Sequence, residues 1–288
     1  MRIGLIGVGM IGGSLLAAWR QAGLVTTASG YDIDARALAA AQALGLVDRG
    51  AATVADAVAD AELVLVATPV GAMRGVFADL APALPDSALL ADVGSTKSGV
   101  IAEARAVLGK AFARFVPAHP IAGKELPGVE HADGGLFAGK RVVLTPTAET
   151  SADATAKVEA LFARTGARVE RMDAAEHDRI FAAVSHLPHL LSFALVAAIG
   201  SEPDGERRLG YGGAGFRDFT RIAASSPVMW RDICVANRAA LGAELRNYRD
   251  LLDRLQQAVD GGDAAALQRT FELAARLRRS WANPSDER

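Results

Sequence analysis

Ile3-Gly4-Leu5-Ile6 runs into Gly7-Val8-Gly9-Met10-Ile11-Gly12, and the helical pattern from Gly13 through Ser14 to Gln21 follows without a break. The short apolar run reads as a buried strand, and the segment after it repeats its apolar residues at helical spacing. Between them each glycine has its own task. Gly7 permits a tight turn, Gly9 lets a pyrophosphate approach the backbone, and Gly12 allows the helix to lie close to the strand. The N-terminus of the helix opening at Gly13, with Met10 and Ile11 in the turn before it, supplies oriented N–H groups and the positive end of the dipole. Twenty residues beyond Gly12, at the end of the next apolar run (Thr27 to Tyr31), stands Asp32. Its carboxylate can accept hydrogen bonds from both hydroxyls of an adenine ribose and would repel a 2′-phosphate. The nearest arginine, Arg36, falls inside the following helix. The expected cofactor is NAD rather than NADP. The competing reading is a plain glycine turn with a solvent-facing aspartate, and it leaves the twenty-residue spacing unexplained.

Outward from this motif, residues 1–170 alternate short apolar runs with Ala-rich helical segments. Leu63 to Ala67, Ala88 to Ala91 and Val142 to Leu144 read as further strands; Ala35 to Leu44, Met73 to Leu80, Gly99 to Leu108 and Ala152 to Arg164 read as helices. Such alternation implies right-handed crossovers and a mostly parallel sheet covered on both faces, a Rossmann-type domain. Ligands in such sheets sit outside the carboxyl ends of the strands. That places Thr68 and Pro69, after the third strand, and Ser95, after the fourth, along a cofactor groove. After Val169 the strand signal stops. Asp173 to Ile199 reads as a long helix interrupted by Pro188, Gly200 to Gly215 as a link, Pro227 to Val259 as one helical stripe, and Ala264 to Trp281 as a last helix. The expected architecture is therefore α/β over 1–170 and all-α over 171–288. The long amphipathic helices have few partners of their own and imply a homodimer through the helical domain, with a self-contained bundle as the alternative.

Composition excludes several classes. Of 288 residues, 51% are hydrophobic and 22% charged, and the formal net charge is −2, so the chain is globular rather than disordered and has no basic field for nucleic acid. No run approaches the ~20 uninterrupted apolar residues of a membrane span. Glycines punctuate the N-terminal apolar run, which denies it the form of a signal peptide. Cys234 is the one cysteine, so no intramolecular disulfide forms. These features point to the cytoplasm.

The five histidines are His119, His131, His177, His186 and His189. His119 follows the apolar run Phe115-Val116 at another strand end facing the cofactor side. A histidine beside a nicotinamide suits a general base that removes a hydroxyl proton as hydride leaves the same carbon, because imidazole titrates near neutral pH. A structural histidine capping a turn is the alternative. His186 and His189, at i and i+3, share nearly one helix face. Pro188 disturbs the turn between them and no third ligand is evident, so no metal site is expected.

Gly7-x-Gly9-x-x-Gly12-Gly13-Ser14, Asp92-Val93-Gly94-Ser95-Thr96-Lys97, His119-Pro120-Ile121-Ala122-Gly123, Ser185-His186-Leu187-Pro188-His189 and Gly215-Phe216-Arg217-Asp218-Phe219-Thr220-Arg221-Ile222-Ala223 occur in order along nearly the whole chain. Together they resemble the prephenate/arogenate (cyclohexadienyl) dehydrogenase family of tyrosine biosynthesis. The resemblance implies that His119 hydrogen-bonds the ring 4-hydroxyl of prephenate and helps draw off its proton while hydride passes from C4 to NAD and carbon dioxide leaves. It implies that Ser95 holds the same hydroxyl and that Arg221 grips a substrate carboxylate, a task suited to a planar guanidinium. It places His189 toward the substrate, His186 in a more structural position, and Glu125 near the pocket mouth; the role of the adjacent Lys124 stays open. The chain's ends lead us to expect no chorismate mutase module upstream and no regulatory domain downstream, so that any inhibition by tyrosine acts at the active site or the dimer interface.

Other residues are read more plainly: Trp230 as core or pocket wall, Asp218 as a buttress for Arg221 or a helix cap, Lys97 as a helix N-terminal or solvent-exposed residue, His131 and His177 as surface residues, and Cys234 as a buried small hydrophobe. The rival enzyme is a β-hydroxyacid dehydrogenase or imine reductase, which shares the architecture. The β-hydroxyacid type uses a helix-borne lysine, and residues 171–288 contain none. A non-catalytic NAD sensor is the rival of another class, and it has no need to assemble His119, Ser95 and Arg221.

Overall fold

The structure is a computed structural model that describes residues 1–123 and 128–282. Alternating strands and helices open the chain: β1 (Arg2–Ile6), α1 (Met10–Gln21), β2 (Thr27–Tyr31), α2 (Ala35–Ala43), β3 (Arg49–Gly50), α3 (Val54–Val58), β4 (Leu63–Val66), α4 (Met73–Leu80), β5 (Leu89–Asp92), α5 (Ser98–Val107) and β6 (Phe115–Val116). All six strands are parallel, in the order β3-β2-β1-β4-β5-β6. Alternate residues of a strand face opposite sides of the sheet. Ile3, Leu5, Leu63 and Leu65 accordingly enter one core with Leu15, Leu16 and Trp19 of α1. Ile6, Val64 and Val66 enter the other with Met73, Phe77, Val100 and Ile101. Burial on both faces is why these strands read as unbroken apolar runs.

The expected single sheet is corrected in one respect. Pro117 ends β6, and β7 (Ala118–Pro120) begins a separate three-stranded sheet with β8 (Arg141–Leu144) and β9 (Arg168–Arg171), joined to β8 by α6 (Ala152–Ala163). β7 and β8 run antiparallel, β8 and β9 parallel. Runs of three or four residues cannot reveal which sheet they join.

The helical part begins with α7 (Ala174–Phe181), continues through a π-helical turn at Ala182–His186 into α8 (Leu187–Gly200), and goes on with α9 (Gly205–Gly210), α10 (Ala214–Thr220) and α11 (Pro227–Ala236). Pro188 does not end the helix. Lacking an N–H, it cannot serve the carbonyl four residues back, and the π turn just before it absorbs the misfit. The run Ala174–Gly200 is long and apolar enough to cross a membrane by length and composition, although Ser185, His186, His189 and Ser192 interrupt it. The expected link at 200–215 instead holds α9 and the start of α10. The expected stripe from Pro227 to Val259 breaks at the buried Asn237, which separates α11 from α12 (Arg238–Asp260).

Two compact units result, Met1–Arg238 and Ala239–Arg288. The first includes α7 to α11, and Trp230 and Ile233 of α11 belong to the second sheet-face core. The second contains most of α12 and α13 (Ala264–Ala282), joined by a turn in which Gly262 takes φ +63°. Leu252, Val259, Phe271, Leu277 and Trp281 are exposed there.

Gly7 sits at φ +90°, and a Cβ there would lie 2.7 Å from the backbone of Ala67. Gly45 has a similar φ of +68° with open space around it. Gly7→Ala is therefore expected to cost at least about 2 kcal/mol and Gly45→Ala only about 1 kcal/mol in urea unfolding. Equal costs would show that the contact with β4 does not constrain the turn.

Candidate active site

Register brings the loops together. Ile6 pairs with Val66 and Val66 with Asp92, so the turns that follow β1, β4 and β5 lie side by side at the carboxyl end of the sheet. A cavity of about 410 Å³ opens there, lined by Gly7, Gly9, Tyr31, Asp32, Ile33, Ala67, Thr68 and Pro69, among others. A Cβ on Gly9 would meet nothing within 4 Å, whereas one on Gly12 would come within 2.9 Å of the Gly7 carbonyl and of Leu5. One glycine thus leaves a face open and the other lets α1 close on the strands. Met10 and Ile11 begin α1, whose N-terminus has no side-chain cap. The Asp32 carboxylate accepts the N–H of Val8 at 2.6 Å and that of Asp34 at 2.8 Å, which fixes it at the cavity wall. The buried Thr68 hydroxyl has no hydrogen-bond partner among the described residues. An open glycine face, uncapped N–H groups, a fixed carboxylate and a spare hydroxyl fit a dinucleotide.

Beyond β5 the chain turns into a buried polar cluster. Lys97 is fully buried, which corrects the exposed reading; its ammonium donates to Asp92 and, at 2.6 Å, to the carbonyl of Ala118. Asp92 also accepts the N–H groups of Gly94 at 2.7 Å and Ala118 at 3.1 Å. The start of β7 is thereby tied to the end of β5, and the next residue is His119.

His119 is half-buried, with Nδ1 2.8 Å from Nε2 of His177. His177, expected at the surface, is wholly buried, and its Nδ1 lies 2.9 Å from Asp178. Asp178 in turn accepts the N–H groups of Lys97 and Ser98, both at 2.8 Å, at the first turn of α5. The apolar periodicity of α7 does not foreshadow this, because one polar pair on an inward face resembles any helix with mixed sides. Adjacent His-Asp in a helix was the available signal. Phe181 packs on both imidazoles, at centroid distances of 4.9 and 4.5 Å.

His186 is buried, and its Nδ1 lies 3.0 Å from the Asn237 amide, which also donates to the Asp178 carbonyl at 2.7 Å. The backbone of Ser95 hydrogen-bonds the same imidazole. Asn237 was missed because its importance depends on the break between α11 and α12. His189 stacks on Trp230 at 3.6 Å and 19°, with Nδ1 2.9 Å from the Ser185 carbonyl. Trp230 is thus a wall of the site. Arg221 is exposed at the end of α10 and near enough to His189 to lower its pKa. Asp218 is exposed on α10, His131 half-buried in the 3-10 turn Val129–His131, and Cys234 half-buried. Glu125 and Lys124 lie outside the described residues.

Electrostatics keeps the imidazoles neutral. Burial pushes His119 well below the usual imidazole range, and the charges of His177, Lys97 and His186 add to it. Burial lowers His177 as well, and takes His186 down to about 4. Burial raises Asp178, but hydrogen bonds from His177, Ser98 and Lys97 outweigh it and bring it to about 2. Electrostatic interactions link His119 to His186, His186 to His189, and His189 to Arg221. Neutral imidazoles can take a proton from a bound hydroxyl, and a guanidinium can hold an anionic group.

Residues 16–171 match the family model described as prephenate dehydrogenase, nucleotide-binding domain, and residues 173–273 match prephenate dehydrogenase, dimerization domain. A cyclohexadienyl dehydrogenase of Zymomonas mobilis is 35% identical over 96% of this chain and 94% of its own length. A prephenate dehydrogenase of Bacillus subtilis is 34% identical over 94% of this chain and 73% of its own. The crystal structure of prephenate dehydrogenase from Aquifex aeolicus in complex with hydroxyphenyl propionate and NAD+ superposes with a TM-score of 0.88 at 34% identity, covering 97% of this chain and 98% of that one.

Because a buried neutral histidine gains its proton on unfolding, the unfolded state binds more protons between the folded and unfolded pKa values. Stability then rises with pH across that window. For His186 the window runs from about 4 to the ordinary 6.5. The unfolding free energy should fall as pH drops through it, and His186→Gln should flatten the slope. An unchanged slope in the variant would show that His186 is not held neutral. With both family models matched in sequence order and relatives above 30% identity across almost the whole length, the chain belongs to the prephenate dehydrogenase family.

Proposed function

We propose that the chain is an NAD-dependent prephenate dehydrogenase with arogenate as a further substrate, and that it works in tyrosine biosynthesis. The placement of His119, tied through Ala118, Lys97 and Asp92 to the strand end next to the loops that line the dinucleotide cavity, carries the reading. The nucleotide-binding domain spans 1–170 and the helical substrate and dimerisation domain 171–288. Gly7, Gly9, Met10, Ile11, Gly12, Asp32, Thr68, Pro69 and Ser95 hold NAD, which when bound accepts hydride from C4 of the substrate. His119 takes the proton of the 4-hydroxyl onto its imidazole. Ser95 holds that hydroxyl in line, with its backbone fixed by His186. The bond to the ring carboxylate breaks, its electrons pass through the ring to the 4-oxygen, which takes the proton back from His119, and carbon dioxide leaves as the ring becomes aromatic. Aromatisation supplies the driving force, so the chain's contribution is alignment and proton acceptance. Arg221 binds the side-chain carboxylate, and His189 lines the pocket against Trp230. The enzyme acts in the cytoplasm, where the unpaired Cys234 suits a reducing compartment. It pairs as a homodimer through the helical domain, whose exposed apolar side chains Phe271, Leu277 and Trp281 suit a second copy.

NADH formation with prephenate tests the reading, and parallel rates with arogenate set the preference. His119→Asn should lower kcat by roughly 10²–10⁴ while NAD still binds; unchanged turnover would remove His119 as the base. Arg221→Ala should raise the prephenate KM about tenfold to a hundredfold and leave the NAD KM nearly constant. Equal effects on both would argue against a carboxylate contact. Asp32→Ala should weaken NAD and narrow its advantage over NADP, and retained selectivity would place the ribose contact elsewhere.

A further inference from the structure

The mechanism above leaves a buried relay unused. His119, His177 and Asp178 form a line of contacts that ends on the first turn of α5. We propose that His177 and Asp178 are positioning residues that hold His119 in one tautomer, with the proton on Nδ1 and the lone pair on Nε2, so that the substrate hydroxyl always meets an acceptor. The inference rests on the reading of His119 as the base.

An ionised carboxylate can only accept. Asp178 takes the N–H groups of Lys97 and Ser98, so its 2.9 Å contact with His177 must be filled by a proton on His177 Nδ1. A neutral imidazole carries one N–H. His177 Nε2 is then a lone pair, and its 2.8 Å contact with His119 Nδ1 must be filled by a proton on His119. His119 Nε2 is left as the acceptor. The reverse assignment would set an N–H of His177 against an N–H of His119, or a lone pair against the carboxylate. Burial keeps both rings neutral, and hydrogen bonds keep Asp178 ionised. Phe181 packs on both rings and restrains their rotation.

Asp178 works through a second path. Its carbonyl accepts one N–H of Asn237, whose amide also donates to His186 Nδ1. His186 therefore carries its proton on Nε2, toward the backbone of Ser95. One residue thus sets the proton positions on both sides of the hydroxyl-binding region. During turnover the O–H bond of the substrate breaks and an N–H bond forms at His119 Nε2. The resulting imidazolium donates through Nδ1 to His177, and no proton need pass farther.

The test combines nitrogen-15 NMR of histidine-labelled protein without substrate and steady-state kinetics. The native protein should show His119 protonated at Nδ1. His177→Leu leaves Asp178 on α5 but removes the acceptor. It should lower kcat about 10²-fold with KM values changed less than threefold, and should populate the other tautomer of His119. His177→Gln, whose carbonyl can accept the same N–H, should recover most of kcat. A native His119 protonated at Nε2, full turnover in His177→Leu, or a glutamine variant no better than leucine would each overturn the proposal. Asp178→Asn also disturbs the start of α5, so the His177 variants decide. His119→Asn separates the two levels: an active variant overturns the base and the relay together, whereas an inactive one beside an unimpaired His177→Leu overturns the relay alone.

Discussion

The pairing of Lys97 with Asp92 holds the site together. Both side chains are excluded from water, so neither charge can be left alone without a cost of several kcal/mol. Each therefore keeps the other in place, along with the backbone groups of Gly94 and Ala118. Asp92 closes the central strand region and Ala118 opens the second sheet, so this one pair joins the two sheets at the residue before His119. A buried ion pair is a poor source of net stability but a strong fixer of geometry, because few other arrangements satisfy all its partners. Its position also explains part of the chemistry. The Lys97 charge opposes protonation of both His119 and His177.

Base strength and base availability pull in opposite directions here. An imidazole lowered by burial is a weaker proton acceptor in water, yet it is free of a proton over a wider range of pH. For a reaction driven by aromatisation, a ready acceptor at the right nitrogen matters more than a strong one. A polar network that is fully satisfied has few alternative proton arrangements, and low local dielectric strengthens each of its bonds. That is how a carboxylate two residues' length from the substrate region can govern it without touching the substrate.

The π turn at Ala182–His186 serves the same end. An uninterrupted α-helix through Pro188 would leave a carbonyl unserved, and the wider turn before it absorbs that misfit. From His186 onward the helix is regular, and at i and i+3 His186 meets Asn237 while His189 lies flat on Trp230.

Local chemistry made much of this legible in the sequence. The glycine turn, Asp32 and the apolar runs with period two or 3.6 follow from backbone sterics, hydrogen-bonding capacity and burial, all of which act between near neighbours. His119 stood out because an imidazole at a strand end suits proton transfer, and the roles of Ser95 and Arg221 came from the family motifs that carry them. His177, Asp178, Lys97 and Asn237 did not stand out. Each is an ordinary polar residue in its own segment, and its role comes from partners between 5 and 81 positions away. The division of the strands between two sheets and the break at Asn237 were hidden for the same reason. The sequence by itself determined which elements form and where a dinucleotide can lie. Tertiary structure alone decided which polar groups are buried together, because burial and hydrogen-bond satisfaction are properties of assembled surfaces and not of any one stretch of chain.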